Sequence, residues 1–302
     1  MIQRFLQELA GAVSLVAITG VLMVVFFLPT LGLAWWLARS RRRFKAEMLD
    51  PFTTLPLRPP GESQRICIEE LKEKLDESLI QLLLAAMVSG LVVVMSRQIN
   101  GPLIGFALVV TLGSFAWLAP KIVRTINELR NRELGFMGER VVGEELNQLI
   151  RVGFEIFHDV PFEKFNADHV LVGPPGVYVV ETKAKRKDAR IKGFARAAVV
   201  YDGQRLKFPK GPDTTFLQQA RLTAKSVAKW LSSATGEPVK VSPILTFPGW
   251  AVERSGRGDV NVLRPDEIKR SFPARPESPL SADQIKRISH QLSERCRLSR
   301  NG

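Results

Sequence analysis

The stretch that decides the fold is Asn166-Ala-Asp-His-Val-Leu-Val-Gly-Pro-Pro-Gly-Val-Tyr-Val-Val-Glu-Thr-Lys183. Two β-branched runs flank Gly173-Pro-Pro-Gly176, which is hairpin punctuation around a four-residue loop. With that loop, Val172 faces Val177, and the same count carries Asp168 to the position directly opposite Glu181. Alternation then sets Lys183 on the face of both carboxylates. Opposed Cβ atoms lie about 4.5–5.5 Å apart, close enough for two carboxylates to share one divalent ion. Val170, Val172, Val177 and Val179 complete that face, and Leu171, Tyr178 and Val180 form the other. A hairpin that is apolar on both faces must be covered on both, which predicts an α/β layered fold.

Two carboxylates and a lysine at the end of an apolar face are costly unless a metal, or the lysine itself, neutralises them. Glu-x-Lys alone carries no information, because Glu70-Leu-Lys72 and Glu267-Ile-Lys269 repeat it. A metal site and an ordinary ion pair at a solvated hairpin end both fit the pattern.

The rest of the chain narrows the function classes. At 302 residues and 45% hydrophobic, it is too apolar for a disordered protein. Two cysteines, Cys67 and Cys296, and three histidines leave no material for a disulfide framework or a Cys- or His-rich metal centre. There is no P-loop and no GxGxxG, so nothing supports ATP hydrolysis or dinucleotide binding. The charge is lopsided: residues 1–120 carry 11 basic and 9 acidic side chains, residues 121–302 carry 32 and 21.

Residues 1–120 read as a membrane region. The uncharged stretch 9–38 supports a span at about 11–37, followed at once by Arg39, Arg41, Arg42, Arg43 and Lys45. Two further spans, about 79–96 and 102–119, are separated by Arg97-Gln-Ile-Asn-Gly-Pro102, a strong helix breaker. The basic cluster directs 38–78 to the cytoplasm, and three spans return the chain there at Lys121. Within that linker, Pro51, Pro56, Pro59 and Pro60 predict an extended lead-in. Residues 62–77 predict a polar helix on the membrane surface or on the cytoplasmic domain, with no chemistry of its own.

Residues 121–302 read as the cytoplasmic domain. A helical pattern runs to about Ile150, with Gly153 as its cap and a possible break at 135–138. Strands are expected at 154–160, 239–247 and 259–263, and an amphipathic helix at 214–231. Ser281-Ala-Asp-Gln284 is a capping-box pattern that opens a C-terminal helix.

Gly138-Glu139, Asp159-Val160, Asp168-His169-Val170 and Gly176-Val-Tyr-Val-Val-Glu-Thr-Lys183 resemble the nuclease-related domain (NERD), a branch of the PD-(D/E)XK nuclease-like superfamily. The likeness covers roughly 132–272. Gly135, Gly138, Glu139, Val142, Leu146 and Leu149 fit the family's first motif in one register, and Gln219-Ala220 and Ile191-Lys-Gly193 resemble later ones. Ala184-Lys-Arg-Lys187 and Thr215-Phe216 depart from the family pattern. The resemblance implies a restriction-endonuclease-like mixed sheet flanked by helices, here preceded by an all-α transmembrane segment.

By that resemblance Asp168 and Glu181 would hold Mg²⁺ or Mn²⁺, with the Thr182 carbonyl as a third oxygen. Lys183 would orient the attacking water and stabilise charge on the phosphate. Glu139 would touch the metal or its water, and Gln219 would fix the nucleophile or the lysine. His169 faces away from Asp168 by alternation and is expected to be packing or support rather than a ligand.

Ten Lys/Arg against two Asp between 183 and 210 form a basic strip. Lys185, Arg186, Lys187, Arg190 and Lys192 are its candidates for nucleic-acid contact, while a solvated loop or a face on anionic lipid fits the charge equally well. The function expected is a multi-pass inner- or plasma-membrane nuclease with a cytoplasmic C-terminal domain, acting on DNA or RNA. The alternative is an inactive module of the same fold that binds nucleic acid or a protein partner.

Overall fold

The computed structural model describes Gln3, Trp36 and residues 56–99, 102–187, 197–272 and 279–297. The chain divides into two compact units, Met1–Thr54 with Leu75–Arg124, and Leu55–Lys74 with Thr125–Gly302.

The first unit is helical where it is described. α1 (Glu62–Ile99) stops just before Asn-Gly, and α2 (Pro102–Asn147) starts on a proline, whose missing N–H is harmless in the first turn. The expected spans 79–96 and 102–119 are therefore helical throughout, and the span at 11–37 lies outside the described residues. Large apolar side chains stay exposed on both helices, among them Leu83, Val109, Leu112 and Trp117, the last at 70%. Among the described residues one helical stretch, Leu108–Val152, is long and apolar enough to cross a membrane. α2 continues unbroken through Pro120 and through Gly135 and Gly138, where a break was expected.

The second unit is an α/β fold with two sheets. β1 (Glu155–Pro161), β2 (Asn166–Gly173) and β3 (Gly176–Thr182) form an antiparallel meander. A smaller sheet is built from β4 (Ala198–Tyr201), β5 (Leu206–Phe208), β6 (Gly211–Asp213) and β8 (Ala251–Arg254), in the order β6-β5-β4-β8. β7 (Val241–Thr246) and β9 (Asn261–Leu263) extend the first sheet in parallel, in the order β1-β2-β3-β7-β9. The mixed sheet is flanked by helices, consistent with a restriction-endonuclease-like fold.

The hairpin has the register read from its sequence, with Val172 opposite Val177 and His169 opposite Val180. Both of its faces are covered. Val170, Val172, Val177 and Val179 pack under α3 (Thr215–Thr235) and α5 (Ala282–Cys296) through Val227, Leu231, Ile288 and Leu292. Leu171 and Val180 pack under the end of α2 and under α4 (Pro265–Ser271), through Val142, Leu146 and Ile268. The C-terminal helix is fixed by the expected capping box: Ser281 Oγ accepts from Gln284 N at 3.2 Å, and Gln284 Oε1 from Ser281 N at 3.0 Å.

Gly138 brings α2 onto the end of β3. A Cβ there would lie 2.7 Å from Ala184 Cβ and 3.6 Å from Thr182 Cγ2. Gly138→Ala is expected to force the helix off the sheet and destabilise the domain by about 2 kcal/mol, read as a lower midpoint in urea unfolding.

Candidate active site

The carboxyl end of β3, which runs parallel to β7, opens into a cleft of ≈ 580 Å³. Its walls bring together Glu139 from α2, Asp168 from β2, Glu181 from β3, Lys183 just beyond β3, and Gln219 from the first turns of α3. In an open sheet that contains parallel strands, this end is where ligands bind. Five residues spread over 80 positions of sequence thus meet in one place.

Glu181 is the pivot. Its Oε1 accepts from Lys183 Nζ at 2.8 Å and from Gln219 Nε2 at 2.7 Å. Its Oε2 is buried with no partner, and so is Oε2 of Glu139. Asp168 Oδ2 accepts from the backbone N–H of Thr182 at 2.7 Å, which ties β2 to the end of β3 at this position. The ordinary ion pair anticipated for Glu-x-Lys is present, but it uses only one of the two Glu181 oxygens.

The electrostatics are those of crowded carboxylates. Burial, then the charges of Asp159 and Glu181, push the Glu139 carboxyl up to about 7. Burial and the charges of Glu181 and Glu139 raise Asp168 well above the usual carboxylate range. Burial works against the charged form of Lys183, but Glu181 and Asp168 outweigh it and hold its pKa above the ordinary lysine value. A cation would relieve the carboxylates.

The donor set suits a hard cation. The unpartnered Oε2 of Glu181 and the carboxylate of Asp168, which lines the same cleft, are hard oxygen donors of the kind Mg²⁺ or Mn²⁺ takes. Among the described residues no three His, Cys, Asp or Glu side chains converge on one ion position. The fit is therefore to an ion held by two carboxylates, with its own waters completing the shell, which is how Mg²⁺ is commonly bound.

Behind the cleft lies a buried histidine pair. His169 and His158 face each other across β1 and β2, with Nδ1 to Nδ1 at 2.9 Å. His158 Nε2 lies 3.1 Å from Asn147 Oδ1, and His169 Nε2 lies 3.3 Å from Thr182 Oγ1. One set of neutral tautomers satisfies every atom: Thr182 donates to His169, His169 to His158, and His158 to Asn147. Burial depresses both rings, His158 to about 4 and His169 well below its usual value. His169 supports Thr182 from behind and does not face the cleft.

Several residues here were not anticipated. Asp159, opposite His169's neighbour Asp168 in the β1–β2 register, adopts a left-handed φ of 46°. Phe157 and Val160 consequently share one core face, so strand alternation breaks between them. The Asp159 carboxylate accepts from Arg58 Nε at 2.8 Å, Ser63 N at 2.8 Å, Ser63 Oγ at 2.6 Å and Asn166 Nδ2 at 3.1 Å. Ser63, Gln64 and Arg132 line the cleft itself. Asp159 stood among the motif residues without a role, and nothing in the sequence around Gln64 signals chemistry.

The expected nucleic-acid contacts divide three ways. Lys185 turns inward, with Nζ 4.3 Å from the Phe208 ring centroid and 4.8 Å from that of Phe216. Arg186 and Lys187 are exposed, whereas Arg190 and Lys192 lie outside the described residues. Tyr201 and Phe208, interleaved in the basic strip, are core residues of the smaller sheet.

Residues 134–248 match the family model described as the nuclease-related domain. The chain carries a nuclease-related domain. The match takes in Glu139, Asp168, Glu181, Lys183 and Gln219, and stops short of β9, α4 and α5. No curated protein and no solved structure matches the chain.

The raised Glu139 pKa gives a pH signature in metal-free protein. The folded state holds a proton that the unfolded chain releases near the ordinary glutamate value of 4.5, so this stability is complete below 4.5 and is lost as pH rises through about 7. Glu139→Gln is expected to remove that loss. In urea unfolding with chelator, its advantage over wild type should be near zero at pH 4.5 and on the order of 3 kcal/mol at pH 8.

Proposed function

We propose that this nuclease-related domain is a metal-dependent phosphodiesterase acting on DNA or RNA, held at a membrane by the helices that precede it. The observation that carries the reading is the division of the Glu181 carboxylate, one oxygen fixed by Lys183 and Gln219, the other buried, unpartnered and beside Asp168. A purely structural ion pair has no use for the second oxygen.

In this reading Asp168 and Glu181 would hold Mg²⁺ or Mn²⁺, which when bound would supply charge neutralisation at the phosphate and a more acidic water. Gln219 and Lys183 fix the rotamer of Glu181, so its free oxygen is preset. Lys183 is the cation nearest the reacting phosphate and stabilises charge as it builds there. Glu139 receives or orients a proton from the far wall of the cleft, and the Thr182 N–H keeps Asp168 aimed inward. Arg186 and Lys187 track the backbone of the substrate, and their exposure supports that role.

Membrane attachment is part of the proposal. The exposed apolar side chains of α1 and α2 support insertion of the 79–96 and 102–119 segments. With the span at 11–37 and the basic cluster that follows it, they give a multi-pass protein of the inner or plasma membrane, its domain in the cytoplasm.

Thermal midpoints and cleavage assays test the site. Mg²⁺ or Mn²⁺ is expected to raise the midpoint of the wild type, and Asp168→Asn to abolish both that shift and cleavage while leaving the metal-free midpoint equal or higher. Lys183→Ala should keep the metal shift and lose at least about a hundredfold in cleavage rate. A wild type that binds metal and nucleic acid yet cleaves nothing is the inactive module. Replacing Arg186 and Lys187 together should flatten the log–log salt dependence of DNA binding by about 1.5.

A further inference from the structure

The segment before α1 and the first turns of that helix lie some 70 residues ahead of the family-matched stretch, yet they are stitched into the same unit. Leu57 bridges to Arg297, and Arg58 N donates to Cys296 O at 2.9 Å. The Arg58 guanidinium and Ser63 close on the Asp159 carboxylate. Pro60 sits where a side chain on Gly143 would be: a Cβ there would lie 2.5 Å from Pro60 Cγ. Gly61, at φ 76°, turns the chain against Phe136. A glycine on α2 with no other close neighbour of that kind exists to admit this segment.

The docked segment delivers Gln64 to the cleft. Its Oε1 accepts from Arg132 Nη1 at 3.3 Å, and its side chain lines the same cleft as Glu139, with whose carboxyl it is hydrogen-bonded. Glu139 thus has one oxygen engaged by a glutamine amide and the other, Oε2, buried without a partner. Glu181 is held in the same manner by Gln219. Two glutamate–glutamine pairs, from four different elements, line one cleft, each with one carboxylate oxygen buried and unpartnered.

We infer that Gln64 is a positioning residue of the phosphodiester site, fixing the Glu139 rotamer as Gln219 fixes that of Glu181, and that Leu55–Lys74 is a working part of the catalytic domain. The inference rests on the phosphodiesterase reading for its chemistry, but the Gln64–Glu139 pairing stands apart from it. A group that acts through another is expected to alter turnover rather than affinity, by about ten- to a hundredfold.

The test uses the full chain in detergent micelles, with Mg²⁺ and labelled DNA and RNA as probes, and compares wild type, Gln64→Ala, Glu139→Gln and the double variant. Expected is a fall in kcat for Gln64→Ala of about tenfold or more with KM within about threefold, and a double variant no slower than Glu139→Gln alone. Gln64→Ala cleaving like wild type, or losses that multiply in the double variant, would overturn the inference. Thermal midpoints of the same four proteins without metal give a second cycle that needs no activity. Non-additive midpoints are expected, and additive ones overturn the pairing. Should wild type cleave nothing, the phosphodiesterase reading fails by itself, and this second cycle still decides whether Gln64 holds Glu139.

Discussion

Like-charge repulsion among Glu139, Asp168 and Glu181 is the constraint around which the domain is organised. Burial and the charge of Glu181 push Glu139 and Asp168 toward their neutral forms, and each of the three carboxylates lies in a different element. Left to relax, they would swing apart into solvent. The fold prevents this with directional contacts: amides of Gln64 and Gln219, the ammonium of Lys183, and the Thr182 N–H. Each restraint engages one oxygen of a carboxylate, and two of the remaining oxygens are buried without partners. Unpartnered buried oxygens are destabilising in isolation, and here two of them belong to residues that line one cleft.

The sheet explains why the restraints hold. β3 lies in the middle of the five-stranded sheet, antiparallel to β2 and parallel to β7, with a helix layer on each face. Its end is therefore held by neighbouring strands on both sides and by helices on both faces. Helix α2 reaches that end only because Gly138 lacks a side chain, so the position of Glu139 depends on the residue just before it. The neutral histidine pair continues the theme behind the strand, anchoring Thr182 to Asn147 of α2 through a chain of hydrogen bonds that uses no net charge. Two neutral rings make that link without placing a charge in the buried interior.

Much of this was legible in the sequence where the signal is local. The hairpin register follows from Gly173-Pro-Pro-Gly176 and strict alternation, and that register alone puts Asp168 opposite Glu181. The capping box at Ser281 and the cap at Gly153, with φ 89°, are likewise local chemistry. The smaller sheet was not legible, because strands of three or four residues such as Leu206–Phe208 are too short to show a period. Nor was the break in alternation at Asp159, since an aspartate in the left-handed region leaves no pattern in its neighbours. Gly135 and Gly138 look like a helix break in sequence, yet α2 runs through both. The role of Gln64 was invisible for a different reason. It is created by contacts across some 70 to 95 residues, with Glu139 and through Asp159, and sequence spacing says nothing about partners at that range.

Because Leu55–Lys74 and Thr125–Gly302 build one body, the helical pair between them is an insertion rather than a leader. That has a topological consequence. A chain that leaves a folded body at Lys74 and re-enters the same body at Thr125 can pass through a bilayer in between only an even number of times. A lone crossing by the apolar stretch of α2 would strand the two parts of the domain on opposite sides and pull Arg58 and Ser63 away from Asp159. Either both helices cross or neither does. The contacts of Arg58 and Ser63 with Asp159 thus hold both ends of the helical pair to one body.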